Sequence, residues 1–230
     1  MRPAIICLFA LVFIASTPAS YQQAFGQNDP DSLLSSDKLM LDVLDLNDPV
    51  LSIWPTINNV EIESLSAAVV NLTGAYEANR LDADERTRQI QAMVAVAKRN
   101  EEKIKTMIKA AKKADDDEEK DRLEDLKDVY ELRRKYLQRV SKVRDGERQL
   151  AETRIDYVNQ LTYFLEIAEQ LVAARESGNS TDLLGTEREL IRQSKELGGR
   201  SSAVAGRLKK VNSEREKAFK DREKLIAAYN

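Results

Sequence analysis

The ten residues "KKADDDEEKD", numbers 112–121, decide whether the middle of this chain forms one long helix or a helical hairpin. Lysines come first and acids follow. Cations are favoured at the C-terminal end of a helix dipole and anions at the N-terminal end, each by roughly 0.3–1 kcal/mol. This order predicts that one helix ends near Ala114 and the next begins at Asp117. Asp115 and Glu118 have the spacing of a capping box, but the missing glycine leaves a bent, continuous helix as the alternative.

The run of acids from Asp115 to Glu119 does not have the pattern of a calcium loop. Such a loop requires alternating oxygen ligands, a central glycine and a distal glutamate. Consecutive residues of a helix also point in different directions, so few of these carboxylates could share one ion. We therefore predict no metal site here, and no cofactor anywhere in the chain.

On the N-terminal side of this stretch, apolar residues recur at alternating steps of three and four. The series predicts a helix over about 60–114 with a coiled-coil heptad seam. Its members are Ile62, Leu65, Val69, Leu72, Tyr76, Asn79, Ala83, Arg86, Ile90, Met93, Ala97, Asn100, Ile104, Met107, Ala111 and Ala114. The three polar members, Asn79, Arg86 and Asn100, are candidate register or interaction residues, because a polar residue in a seam can fix register or partner number.

On the C-terminal side the heptad register fails and then restarts at Leu123. The apolar stripe is wide over 155–172, which is typical of a helix buried between two others. Gly178 can take the left-handed position that ends a helix. A weaker series from Leu190 to Tyr229 predicts a third helix.

Together these patterns predict an all-α fold: an elongated, antiparallel three-helix bundle or coiled coil with helices at about 60–114, 117–176 and 183–229. The third helix is about 13 residues shorter than the second. At 1.5 Å per residue, that difference leaves a two-helix tip roughly 20 Å long.

The first 59 residues differ from the rest of the chain. Residues 1–26 have the pattern of a signal peptide, with an apolar stretch at 4–15 and candidate cleavage points after Ala19 and Gly26, of which we favour Gly26. An uncleaved anchor within 4–25 is the alternative. Residues 27–59 form an acidic, proline-containing extension with a predicted short helix at 36–46. The extension also contains Trp54, a candidate interaction residue, and either packs along the bundle or docks a partner.

The residue types present exclude several chemistries. The chain has no histidine, and its one cysteine, Cys7, lies in the predicted signal peptide. Zinc sites of histidine and cysteine, Ser-His triads and cysteine nucleophiles are therefore excluded from the mature chain. Paired carboxylates would need a dry pocket to act as acid and base, and a narrow bundle is not expected to have one. We predict no catalytic residues.

The net charge of −3 and the interleaving of bases with acids argue against a nucleic-acid partner. Asn71 and Asn179 both begin N-glycosylation sequons, and Asn179 lies in the predicted turn.

These features predict a non-catalytic, exported protein: a structural, scaffold or interaction module outside the cytoplasmic membrane. It would be secreted, periplasmic or at the cell surface, and tethered to the membrane if residues 4–25 are retained. Its partners would be proteins or further copies of itself, bound through helices. One alternative is a chaperone, because a signal peptide followed by a long hairpin resembles the outline of periplasmic holdase chaperones. The other alternative is a helical-bundle sensor or ligand-binding domain.

Overall fold

The computed structural model describes Leu34, Leu39, residues 57–178 and residues 180–229, with only the backbone described at 180–182. The chain divides into two compact units, Met1–Ser36 and Asp37–Asn230, and every described helix belongs to the second unit. The predicted signal peptide and Trp54 lie outside the described residues.

Three helices make up nearly all of the described chain: α1 Asn59–Lys113, α2 Asp117–Ser177 and α3 Ser180–Ala227. The prediction of an all-α bundle is confirmed, and each helix end lies within three residues of its predicted position. With 61 residues in α2 and 48 in α3, the predicted difference of 13 residues is also observed.

A capping box begins α1. The Asn58 side chain accepts from the Glu61 N–H at 3.1 Å, and the Glu61 carboxylate accepts from the Asn58 N–H at 3.1 Å. These two bonds satisfy backbone donors that have no partner inside the helix.

The turn between α1 and α2 is a hairpin, so the bent-helix alternative is wrong. Asp115 has φ 53° and occupies the left-handed position that glycine usually takes. The Asp116 N–H donates to Ala111 O at 3.1 Å, which is the longer bond of a Schellman motif. The predicted capping pair is displaced by one residue: Asp116, rather than Asp115, accepts from the Glu119 N–H at 3.0 Å.

The helix α2 ends at a glycine, as predicted. Gly178 has φ 70° and its N–H donates to Arg175 O. Both turns are short, so α2 runs antiparallel to α1 and to α3.

The middle helix, α2, packs against both neighbours, whereas α1 and α3 make almost no close backbone contact with each other within the described residues. The main core combines all three helices and centres on Tyr157, Leu161, Phe164 and Ala168. A separate core at the hairpin end contains only α1 and α2 residues, among them Ile104, Ala111 and Leu123. The first turns of α2 therefore pack on α1 alone and form the two-helix tip.

The helix α1 buries one residue in seven along its length. The buried apolar residues are Ile62, Val69, Tyr76, Ala83, Ile90, Ala97, Ile104 and Ala111, and Glu101 is buried outside this series. The other seam position is half-buried at Leu65, Leu72, Met93 and Asn100 and is exposed at Asn79, Arg86 and Met107. Its cover within the described chain is therefore incomplete.

Val211 of α3 packs closely on α2 at Gly146. A Cβ added there would lie 3.1 Å from Val211 Cγ2, which is shorter than an ordinary carbon contact. The missing side chain of Gly146 therefore leaves room for Val211.

Candidate functional site

The first candidate surface is the α1 outer seam, which we define as Asn79, Arg86, Met93, Val96, Asn100 and Met107. Met107 is 48% exposed and Val96 is 49% exposed, while Met93 and Asn100 are half-buried. Arg86 is held by Asp82 of the same helix, with Nε 2.8 Å from Oδ2. The predicted register residues therefore lie on an accessible face of α1, and their role towards a partner stays a prediction.

The two-helix tip separates charge between its helices. Residues 103–113 of α1 carry five lysines and no acid, whereas residues 115–128 carry nine acids and three bases. The side chains at 112–118 are all exposed. Among the described residues, no group of three or more acidic, histidine or cysteine side chains has the arrangement to hold a metal ion.

Ion pairs join α1 to α2 below the tip. Glu101 is 6% exposed, and its carboxylate accepts from Arg134 Nε at 2.8 Å and lies 2.8 Å from Lys105 Nζ. The hydrogen bond from Lys105 holds the pKa of Glu101 below its ordinary value, and that from Arg134 acts in the same direction. This carboxylate is therefore ionised and structural at neutral pH.

A second network lies in the middle of α2, where it meets α3. Glu147 accepts from Arg215 Nη1 and from Arg144 Nη1, both at 2.7 Å. Arg154 of α2 is buried and contacts α1 instead: its Cζ lies 5.3 Å from the centroid of the Tyr76 ring. Buried arginines in such pairs fix the register of neighbouring helices, because removing one partner leaves a charge in a poorly solvated place.

A polar cleft of about 480 Å³ lies on α2 beside this network. Its lining includes Arg139, Lys142, Arg207 and Lys210 together with Asp145 and Glu214. Arg207 donates to Gln149 Oε1 at 2.7 Å, and Arg139 Nη1 donates to Glu214 at 3.1 Å. Two of the four bases are thus already engaged by the chain itself.

The side chain of Asn212 in α3 holds the backbone of Leu39. Its Nδ2 donates to Leu39 O at 3.0 Å, and its Oδ1 accepts from the Leu39 N–H at 3.1 Å. The half-buried Leu39 side chain packs against the main core. Leu39 itself is not helical, and the rest of the predicted helix at 36–46 lies outside the described residues.

No pattern in the sequence indicates this contact. Asn212 is one polar residue in a charged helix, and Leu39 precedes it by 173 positions. Asn212 lies between Val211 and Ser213, a context that is common on any helix surface.

The two predicted glycosylation residues fall in different places. Asn71 is exposed on α1, and the hydroxyl of Thr73 in its sequon donates to Val69 O at 2.9 Å. Asn179 and Trp54 lie outside the described residues.

None of the helices in the described ranges has an apolar window long enough to cross a membrane. Comparisons of the chain with protein-family models, curated proteins and solved structures found no match.

Proposed function

We propose that this protein is a non-catalytic helical interaction module that acts outside the cytoplasmic membrane and associates with a second copy of itself through the α1 outer seam. The observation that carries the proposal is the one-in-seven burial of α1, which leaves the other half of a heptad pattern accessible. A coiled-coil seam needs both positions covered, and the second position is exposed at Asn79, Arg86 and Met107.

The two asparagines of the outer seam favour a second copy over an unrelated partner, and the charge of Arg86, which would face its own copy, is neutralised by the ion pair with Asp82. In a parallel pairing of two α1 helices, Asn79 would face Asn79 and Asn100 would face Asn100. Such like pairs of asparagine can satisfy each other's amide groups, and they select register and dimeric state at some cost in stability. Met93, Val96 and Met107 would supply the apolar contact between them.

Sedimentation velocity over a concentration series tests this association. We expect a dimer that becomes a monomer when Met107 or Val96 is replaced by glutamate, because a charge would then be buried without a partner. Leu81→Glu is the matched control: Leu81 lies on α1, is 59% exposed and is outside the seam. A monomer at every concentration, or equal dissociation by the Leu81 variant, would contradict the proposal.

Export is the second part of the proposal. It rests on the apolar stretch at 4–15 that follows Arg2. Mass spectrometry of the mature chain is expected to give a new N-terminus at Gln27, from cleavage after Gly26. An intact Met1 in a cytoplasmic fraction would exclude export.

The polar cleft favours a second candidate function, that of a ligand-binding or sensor domain. Its lining contains more bases than acids, so a small anion is the expected class of ligand. Thermal unfolding with a panel of carboxylates and phosphates distinguishes the two functions. A concentration-dependent rise in Tm that is lost in Lys210→Glu would support the sensor, since Lys210 is an exposed base of the lining.

A further inference from the structure

The contact between Asn212 and Leu39 has the chemistry of peptide recognition. One amide side chain donates to a carbonyl and accepts from the N–H of the same residue, at 3.0 and 3.1 Å. Because both bonds go to the backbone, they can form with any residue except proline. Peptide-binding surfaces use the same division, in which backbone bonds give affinity and neighbouring pockets select side chains.

We propose that Asn212 and the core surface around it are a docking site for an acidic peptide segment. The residues around Leu39 are its ligand, and the same segment of a second copy can replace them. The site is separate from the α1 outer seam, so it goes beyond the function proposed above.

Charge complementarity supports this choice of ligand. Residues 205–218 of α3 carry five bases and two acids, and of these bases Lys209 and Lys210 are exposed within one turn of Asn212. Residues 27–60, which contain Leu39, carry six acids and one base. A segment of that composition is attracted to this part of α3 and repelled by the acidic side of the tip.

At the described residue Leu39 the contact is small. It comprises two hydrogen bonds and one half-buried leucine side chain, so this residue can open without unfolding the helices. Leu39 is joined to α1 by residues 40–58, and a tether of that kind gives its segment an effective concentration on the order of millimolar. The chain's own segment therefore occupies the site unless its backbone bonds are removed.

A competition experiment with the full chain uses this property. Leu39→Pro removes the N–H that donates to Asn212 and leaves the site itself intact. A fluorescent peptide of residues 34–44, "LSSDKLMLDVL", is expected to bind the Leu39→Pro chain at least tenfold more tightly than the unaltered chain. The matched control is the same peptide with an N-methyl group on the leucine of position 39, which keeps the side chain and removes the N–H.

The N-methyl peptide is expected to bind at least tenfold more weakly, and Asn212→Ala in the Leu39→Pro chain is expected to weaken the unmodified peptide by a similar factor. Equal binding of the two peptides, or no binding at millimolar peptide, would overturn the proposal. Sedimentation of Asn212→Ala separates this outcome from the α1 association, which the variant should leave unchanged.

Hydrogen exchange keeps the test decisive if Leu39→Pro does not fold. The Leu39 amide is expected to exchange at least tenfold faster in Asn212→Ala than in the unaltered chain, while amides of the α2 core keep their rates. Unchanged exchange at Leu39 would show that Asn212 does not hold the segment.

Discussion

Replacing Asp115 tests the hairpin by the sign of one free-energy difference. Asp115 has φ 53°, where a Cβ crowds the backbone, so glycine is favoured over alanine there by about 1 kcal/mol. In a continuous helix the order reverses, since alanine is favoured over glycine by about 1 kcal/mol. In the hairpin, Asp115→Gly is therefore expected to be more stable than Asp115→Ala by about 1 kcal/mol. The stability difference between the two variants expected for the hairpin and that expected for a continuous helix lie about 2 kcal/mol apart.

Urea unfolding followed by circular dichroism measures the difference. Both variants remove the same carboxylate, so any relief of repulsion with Asp116 and Asp117 cancels between them. Ala110→Gly is the matched control, because Ala110 is exposed inside α1. Its free energy of unfolding is expected to fall by about 1 kcal/mol in a hairpin and in a continuous helix alike.

The result that refutes the hairpin is an Asp115→Ala chain as stable as Asp115→Gly or more stable. If the tip unfolds before the rest of the bundle, the same comparison can be made locally. The Asp116 N–H bonds to Ala111 O at 3.1 Å, so its exchange rate reports the turn. We expect that rate to be lower in the glycine variant than in the alanine variant.

Three further substitutions test the packing and the ion pairs by urea unfolding. Gly146→Val should lower the free energy of unfolding by about 1–3 kcal/mol through overpacking against Val211. The double variant Gly146→Val, Val211→Ala should lose less stability than the sum of the two single variants, and additive losses would contradict the close contact. Leu161→Ala should lose about 2–5 kcal/mol because Leu161 is fully buried, whereas Leu184→Ala, at a site 57% exposed, should change stability by at most about 0.5 kcal/mol. Glu101→Gln should lose about 1 kcal/mol at neutral pH, since the bases that Glu101 pairs with are partly solvated. Because the folded-state pKa of Glu101 is lowered, its contribution is complete above its unfolded pKa and lost as pH falls through the folded pKa; a difference that persists in strong acid would contradict this assignment.

Local chemistry made the helices and turns predictable from the sequence. Gly178 and the reversal of charge around Ala114 each act through groups within four residues. Such short-range bonds form whatever the rest of the chain does. The cap at α2 was missed by one residue, because three consecutive aspartates offer the same side chain and only the left-handed conformation of Asp115 selects among them.

Contacts between distant segments could not be predicted in the same way. A heptad pattern shows which positions of α1 are apolar, but it does not show which neighbour covers them. The identity of that neighbour depends on where α3 packs, to which contacts such as that of Val211 with Gly146 contribute. The bond between Leu39 and Asn212 depends in turn on where α3 lies.

The placement of polar residues on the α1 outer seam bears on the kind of association that it can make. A seam that is apolar at every position leaves a continuous apolar strip on any chain without a partner, and such strips promote aggregation. Here Asn79 and Arg86 precede Met93, and Asn100 separates Val96 from Met107, so the apolar surface is divided into short pieces. Each piece gains little from burial, and the amide pairs contribute specificity more than affinity. We therefore expect the association through this seam to be reversible and dependent on concentration, with a folded monomer at low concentration.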